Sequence, residues 1–152
     1  MPADSKLTEM EIRMTPEVES LFSRYELLSQ QFDYREIAKL YGSKLIAAGP
    51  NGITIHNNNL ITRWQFENAM RAFYQKAGLT SIRIVRMNED KISQQYSFVN
   101  ATWIATFGKT DSQSFEFHVT YVVRKRKARA EIVMFIAHED EKKVLQGYGI
   151  LP

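Results

Sequence analysis

Around Thr80 the spacing of apolar side chains changes from three-and-four to two, which divides the chain into a helical half and a sheet half. Before it, Val18, Leu21, Phe22, Tyr25, Leu28 and Phe32 form one helical stripe. Phe66, Ala69, Met70, Phe73, Tyr74 and Ala77 form another. After it, alternation runs through Ser81–Met87, Ile92–Phe107, Ser114–Lys125 and Arg129–Ala137. Asn88-Glu89-Asp90, Gly108-Lys109-Thr110-Asp111 and Arg126-Lys127 read as the turns between them. Helices followed by hairpin-linked strands specify an α+β fold, a curved antiparallel sheet wrapped around the N-terminal helices. A strand as long as Ile92–Phe107 has to bend or carry a bulge.

The helical half carries its own punctuation. Thr15 is a suitable N-cap, Pro16 suits the first helical position, and Glu17 and Glu19 complement the positive helix end. Asp33 with Glu36 opens a short second helix whose apolar residues are Ile37, Leu40 and Tyr41, with Gly42 at its end. Gly49-Pro50-Asn51-Gly52 joins Lys44–Ala48 to Ile53–His56 as a small hairpin. Asn57-Asn58-Asn59 breaks the pattern; Thr62 with Gln65 then opens the third helix, and Gly78 closes it. Residues 1–14 read as a flexible arm and 15–152 as one domain.

Composition removes several kinds of chemistry. The chain has no Cys, so disulfides, thiolate nucleophiles and Cys-based metal sites are excluded. This suits a reducing compartment, and the start lacks a signal peptide's apolar stretch, so we expect a cytoplasmic protein. No apolar run approaches the ~20 residues of a membrane helix. A net charge of +3 is too small to point to nucleic acid. The basic run Arg124–Arg129 sits where a hairpin tip is expected, and there such charges are solvated and block edge pairing. His56, His118 and His138 match no ligand spacing, so neither a metal nor a cofactor is expected.

Pairing the last two strands about Arg126-Lys127 places Tyr121, Val119 and Phe117 on a helix-covered face, with Ile132, Met134 and Ile136. Continued without a bulge, the register adds Tyr96, Phe98, Asn100, Thr102 and Ile104 to that face. Apolar residues with a few polar groups among them suit a small-molecule pocket, which Tyr25, Tyr41 and Phe73 would complete from the helical half. The same register leaves Val99, Trp103, His118, Val133 and Phe135 on the outer face, an apolar patch suited to a dimer interface.

The order of elements resembles the nuclear transport factor 2-like superfamily, which includes SnoaL-like cyclases and ketosteroid isomerase. The likeness covers roughly 15–146 and is carried by Asp33, Leu40-Tyr41, the Pro50-Asn51-Gly52 turn, a third amphipathic helix and the four long strands. It implies a cystatin-like cone with a cavity, often dimeric through the outer face of the sheet. In isomerase-like members an acid follows the short helix; here Gly42-Ser43-Lys44 offers none. In SnoaL-like members an acid ends the last strand; here Ala137-His138-Glu139-Asp140 offers His138 or Asp140. The reading that results is a homodimeric module binding a small apolar ligand. Its alternative is a cofactor-free lyase, isomerase or cyclase with His138 as base and Tyr25 or Tyr121 polarising a carbonyl.

Overall fold

A computed structural model of the chain describes residues 14–108 and 111–152; the expected arm, Met14 apart, lies outside the described residues. The first helix, α1 (Pro16–Gln30), follows Thr15 as expected, but Thr15 does not cap it with its side chain. Instead Thr15 N donates to Glu89 Oε1 at 2.7 Å and its hydroxyl donates to Oε2 at 2.9 Å. Ser97 Oγ adds a donor at 2.5 Å, and Lys125 Nζ lies 3.7 Å away. This carboxylate, with 1% of its side chain exposed, therefore sits at the positive end of α1. Burial opposes its charge, but the bonds from Ser97 and Thr15 prevail and hold its pKa below the usual carboxylate value. Glu89→Ala is expected to cost about 3 kcal/mol in urea unfolding, because it strands buried donors. A depressed folded pKa gives stability that is present above the ordinary carboxylate value and lost as pH falls through the folded one. The variant should therefore lose less stability on acidification than the wild type.

Asp33 caps the short helix α2 (Tyr34–Ala38) by accepting from Glu36 N at 3.2 Å. Strands β1 (Tyr41–Gly49) and β2 (Gly52–Asn57) make the small hairpin, and Gly42 lies inside β1 rather than ending α2. Asn59, not Thr62, caps helix α3 (Leu60–Ala77): its side chain accepts from Thr62 N. Gly78 then ends α3 with φ 75°, where an L side chain would be strained.

Strands β3 (Leu79–Lys91), β4 (Tyr96–Phe107), β5 (Gln113–Arg126) and β6 (Arg129–Ala137) follow. Asn88-Glu89-Asp90 is not a turn but part of β3, and the chain reverses at 92–95 instead. The order across the sheet is β2-β1-β6-β5-β4-β3; β1 and β6 run parallel, and every other neighbouring pair is antiparallel. A register shift in β3 lies between Ile84 and Arg86, and Ile84 N there donates to Glu26 of α1 at 2.5 Å.

Two features reverse the expected faces. The connection between Phe107 and Gln113 holds an odd number of residues, so Trp103 lies opposite Phe117 and Val99 opposite Tyr121. Val99, Ala101, Trp103 and Ala105 are therefore buried with Phe117 and Tyr121 on the covered face. Tyr96, Phe98, Asn100, Thr102 and Ile104 take the outer face. The β5–β6 turn is Lys127-Ala128, and a bulge at Val133 puts Phe135 opposite Tyr121 and Met134 opposite Val122. Ile132 stays covered, while Met134 and Ile136 turn outward and Phe135 turns in.

Helix α1 packs Val18 and Phe22 on Val99, Tyr121, Val123 and Ile132. Burying Phe22 whole contributes about 2 kcal/mol. The last helix, α4 (Glu141–Gly147), closes the other end, with Leu145 fully buried among Phe107 and Phe117. No described helix is long and apolar enough to cross a membrane.

Candidate functional site

Between the covered face of the sheet and helices α1, α2 and α3 lies a cavity of about 580 Å³. Small side chains make the room: Ala47, Ala105 and Ala137 from the sheet face Ala38 and Ala69 from the helices. Ile37, Phe66, Met70, Val119 and Phe135 make most of the wall apolar.

The polar groups fall into two sets. In the first, Tyr25 and Tyr41 share a hydrogen bond of 2.5 Å between their hydroxyls, and Trp103 Nε1 donates to the Tyr121 hydroxyl at 3.0 Å. The Tyr25 ring lies 5.2 Å from Trp103 and 6.0 Å from Tyr121, centroid to centroid. Burial pushes the pKa of Tyr25, Tyr41 and Tyr121 above the ordinary phenol value, so all three stay protonated at neutral pH. Tyr121 accepts from the indole and its own hydroxyl is hydrogen-bonded to Tyr25, so the three phenols and the indole form one connected set.

The second set is Glu141 with Tyr74. Asp140 caps α4 by accepting from Lys143 N at 3.1 Å, which makes Glu141 the first residue of that helix. Glu141 lines the cavity, and the Tyr74 hydroxyl reaches its two carboxylate oxygens at 3.0 and 3.1 Å. Burial raises its pKa to about 7, against the lowering effect of Tyr74. Tyr34 stacks on Tyr74 with centroids 6.0 Å apart, and burial raises its pKa to about 12. The cavity thus contains hydroxyl donors and a carboxyl able to hold or release a proton near neutrality.

Of the residues expected to bind a ligand, Tyr25, Tyr41, Phe117 and Tyr121 line the cavity. Phe73 packs instead beside α4 against the second core cluster. Tyr96, Asn100, Thr102 and Met134 are on the outer face, for the reasons of register given above. Of the expected interface residues, Trp103 and Phe135 line the cavity, Val99 is buried under α1, and Val133 is the extra residue of the bulge. His118 is on the outer face as expected; it contacts Glu139 through Nδ1, and its backbone N donates to Glu139 Oε2 at 3.0 Å.

His138 is also outside the cavity. Its ring stacks on His118 at 6.1 Å, and its Nε2 bonds Thr120 Oγ1 at 2.8 Å. That hydroxyl already donates to Asn100 Oδ1 at 2.7 Å, which leaves Nε2–H of His138 as donor. A histidine so placed cannot serve as base in the cavity. Asp140 is occupied by the helix cap and by Asn51 Nδ2 at 2.6 Å. Glu141 escaped the sequence reading, although Asp140 three residues before Lys143 is an N-cap signal that makes it the first helical residue. In the cavity wall, Asn58 donates to the carbonyls of Ala38 and Tyr41 at 2.9 Å and accepts from Arg63 Nε at 2.9 Å. No cluster of His, Cys, Asp or Glu able to hold a metal occurs among the described residues.

A family model described as NTF2-like protein (DUF6841) matches residues 16–140. Nothing matches among curated proteins. Among solved structures, an NTF2-like protein with a cystatin-like fold from Novosphingobium aromaticivorans aligns with a TM-score of 0.63 at 11% identity, over 99% of this chain and 95% of its own. An NTF-2 like protein of unknown function from Shewanella oneidensis MR-1 aligns with a TM-score of 0.58 at 16% identity, over 91% and 100%. A protein from Catenulispora acidiphila, solved in complex with S-DNPA, aligns with a TM-score of 0.62 at 12% identity, over 84% and 94%. At these identities the likeness establishes the fold alone.

Proposed function

We propose, from the premise that this chain belongs to the NTF2-like family DUF6841, that it binds a small, largely apolar organic molecule in its cavity and works as a homodimer. The cavity carries this reading: its 580 Å³ is within the usual range for ligand sites, and its apolar wall surrounds a few convergent polar groups. The Catenulispora protein, solved in complex with S-DNPA, supports it by analogy of fold. A cytoplasmic setting, suggested by the absence of Cys, belongs to the same proposal.

The neutral dye N-phenyl-1-naphthylamine, which fluoresces in apolar surroundings, tests the cavity. Ala47→Phe fills the space opposite Phe135 and is expected to weaken dye binding at least about tenfold without unfolding the protein. Undiminished binding in the folded variant would place the dye elsewhere and remove the reading.

The dimer is supported by the outer face of the sheet. Ile55, Ile46, Met134, Val122 and Phe98 lie opposite one another in register across β2, β1, β6, β5 and β4. Ile55, Ile46 and Phe98 are 73%, 37% and 43% exposed, which makes an apolar band far from solvent-neutral. A second copy of the same band covers it isologously.

Glu141 favours a second reading, cofactor-free proton transfer as in a lyase, isomerase or cyclase. The ionised carboxylate takes a proton from the carbon next to a ligand carbonyl. The bond's electron pair moves to the carbonyl oxygen, which accepts a hydrogen bond from Tyr121 or Tyr25. Glu141 is the one carboxylate among the described residues that lines the cavity.

A further inference from the structure

Next to the cavity is a second, polar cleft of about 460 Å³. Tyr41, Asn58 and Arg63 line both spaces, so the two lie on either side of these residues. Lys39, Arg63, Arg126 and Arg129 bring cations to the cleft, and Glu131 is its only carboxylate among the described residues. That carboxylate is already engaged: Arg124 Nε donates to Glu131 Oε1 at 2.9 Å, and Arg126 Nε lies 3.5 Å from the same oxygen. Arg129 forms no ion pair among the described residues, and Arg63 uses Nε on Asn58. Lys39 pairs with Glu36 at 2.8 Å, but on an exposed surface where such a pair holds weakly.

The cleft therefore keeps an uncompensated positive charge next to an apolar chamber. The basic run is exposed at the β5–β6 turn as expected, and within it Arg126 and Arg129 also border this cleft while Arg124 helps hold its acid. We propose that the ligand is an amphipathic organic anion: its apolar body fills the cavity, and its carboxylate, sulfonate or phosphate group lies in the cleft between Arg63, Lys39 and Arg129. Guanidinium groups suit such planar or tetrahedral oxyanions because they donate two parallel hydrogen bonds. The inference rests on the cavity reading and specifies the class of ligand.

A matched pair of dyes separates the two claims. 8-Anilinonaphthalene-1-sulfonate differs from N-phenyl-1-naphthylamine by the added sulfonate. The sulfonate dye is expected to bind about tenfold tighter at low salt, equivalent to about 1.4 kcal/mol from a partly exposed ionic contact. Lys39→Gln combined with Arg129→Gln should abolish that preference and leave the neutral dye's affinity unchanged, since neither residue lines the cavity. Raising salt to about 0.5 M should do the same in the wild type. Equal affinities in the wild type, or a preference that survives the double substitution, would overturn the anion site and leave the cavity reading standing. A neutral dye that fails to bind, or ignores Ala47→Phe, would overturn the cavity reading and this inference with it.

Discussion

Met134→Glu is expected to leave the protein folded but monomeric, whereas Trp103→Glu is expected to leave it unfolded. Met134 stands in the middle of the outer band, between Ile46 on β1 and Val122 on β5. In a free subunit a glutamate there reaches water. In an isologous dimer it lies at an apolar centre and close to its own copy. Several kcal/mol of desolvation and like-charge repulsion should weaken association by at least about a thousandfold. Trp103 is 5% exposed, packs on Tyr25 and donates to Tyr121. A glutamate in its place would bury an unpaired charge in a half-emptied site, at a cost above about 4 kcal/mol. Sedimentation velocity reads the first variant and circular dichroism with heating reads the second. A wild type that is monomeric at high concentration, or a Met134→Glu protein that still dimerises, would refute the outer-face dimer.

Glu141→Gln is expected to stabilise the protein at pH 8 while making little difference at pH 4. The folded pKa of Glu141 is raised to about 7, above its unfolded value, so the folded state holds the proton more tightly. The stability from that proton is complete below the unfolded pKa. It is lost as pH rises from about 4.3 through the folded value. Glutamine keeps the neutral shape and has no proton to lose. The gain at pH 8 should be on the order of 2 kcal/mol, discounted from the full shift because the cavity admits some water. Urea unfolding at the two pH values measures it. The same loss of stability in both proteins would mean that the carboxyl is solvated, and the proton-transfer reading would lose its base.

The order of elements was legible because it rests on local signals: the change of period at Thr80, the Asp33 cap, and Gly78 at the end of α3. Faces were less legible. A strand's side chains reverse with each added residue, so an odd connection after Phe107 and a bulge at Val133 sufficed to exchange Trp103 with Thr102 and Phe135 with Met134. Asn88-Glu89-Asp90 has the composition of a turn, yet Glu89 is needed inside the sheet to anchor Thr15, a contact across 74 positions that no local pattern carries. The cavity was half legible. Tyr25 and Tyr41 follow from helical and turn signals, and Tyr121 from the last hairpin. Glu141 and Arg63 depend on where α4 and α3 dock, and docking is tertiary.

The parallel pairing of β1 with β6 places Tyr41 opposite Ile132 and makes the architecture depend on its last-synthesised strand. Strands β3 to β6 are successive neighbours, so their contacts close short loops and form early. The β1–β2 hairpin has no berth in the sheet until β6 exists. On the ribosome, α1 to α3 and that hairpin emerge first and wait with their cavity-facing residues uncovered. Until β6 is made, the apolar side chains that α1, α2, α3 and β1 turn toward the cavity lack their sheet partners, and they offer a chaperone a natural handle.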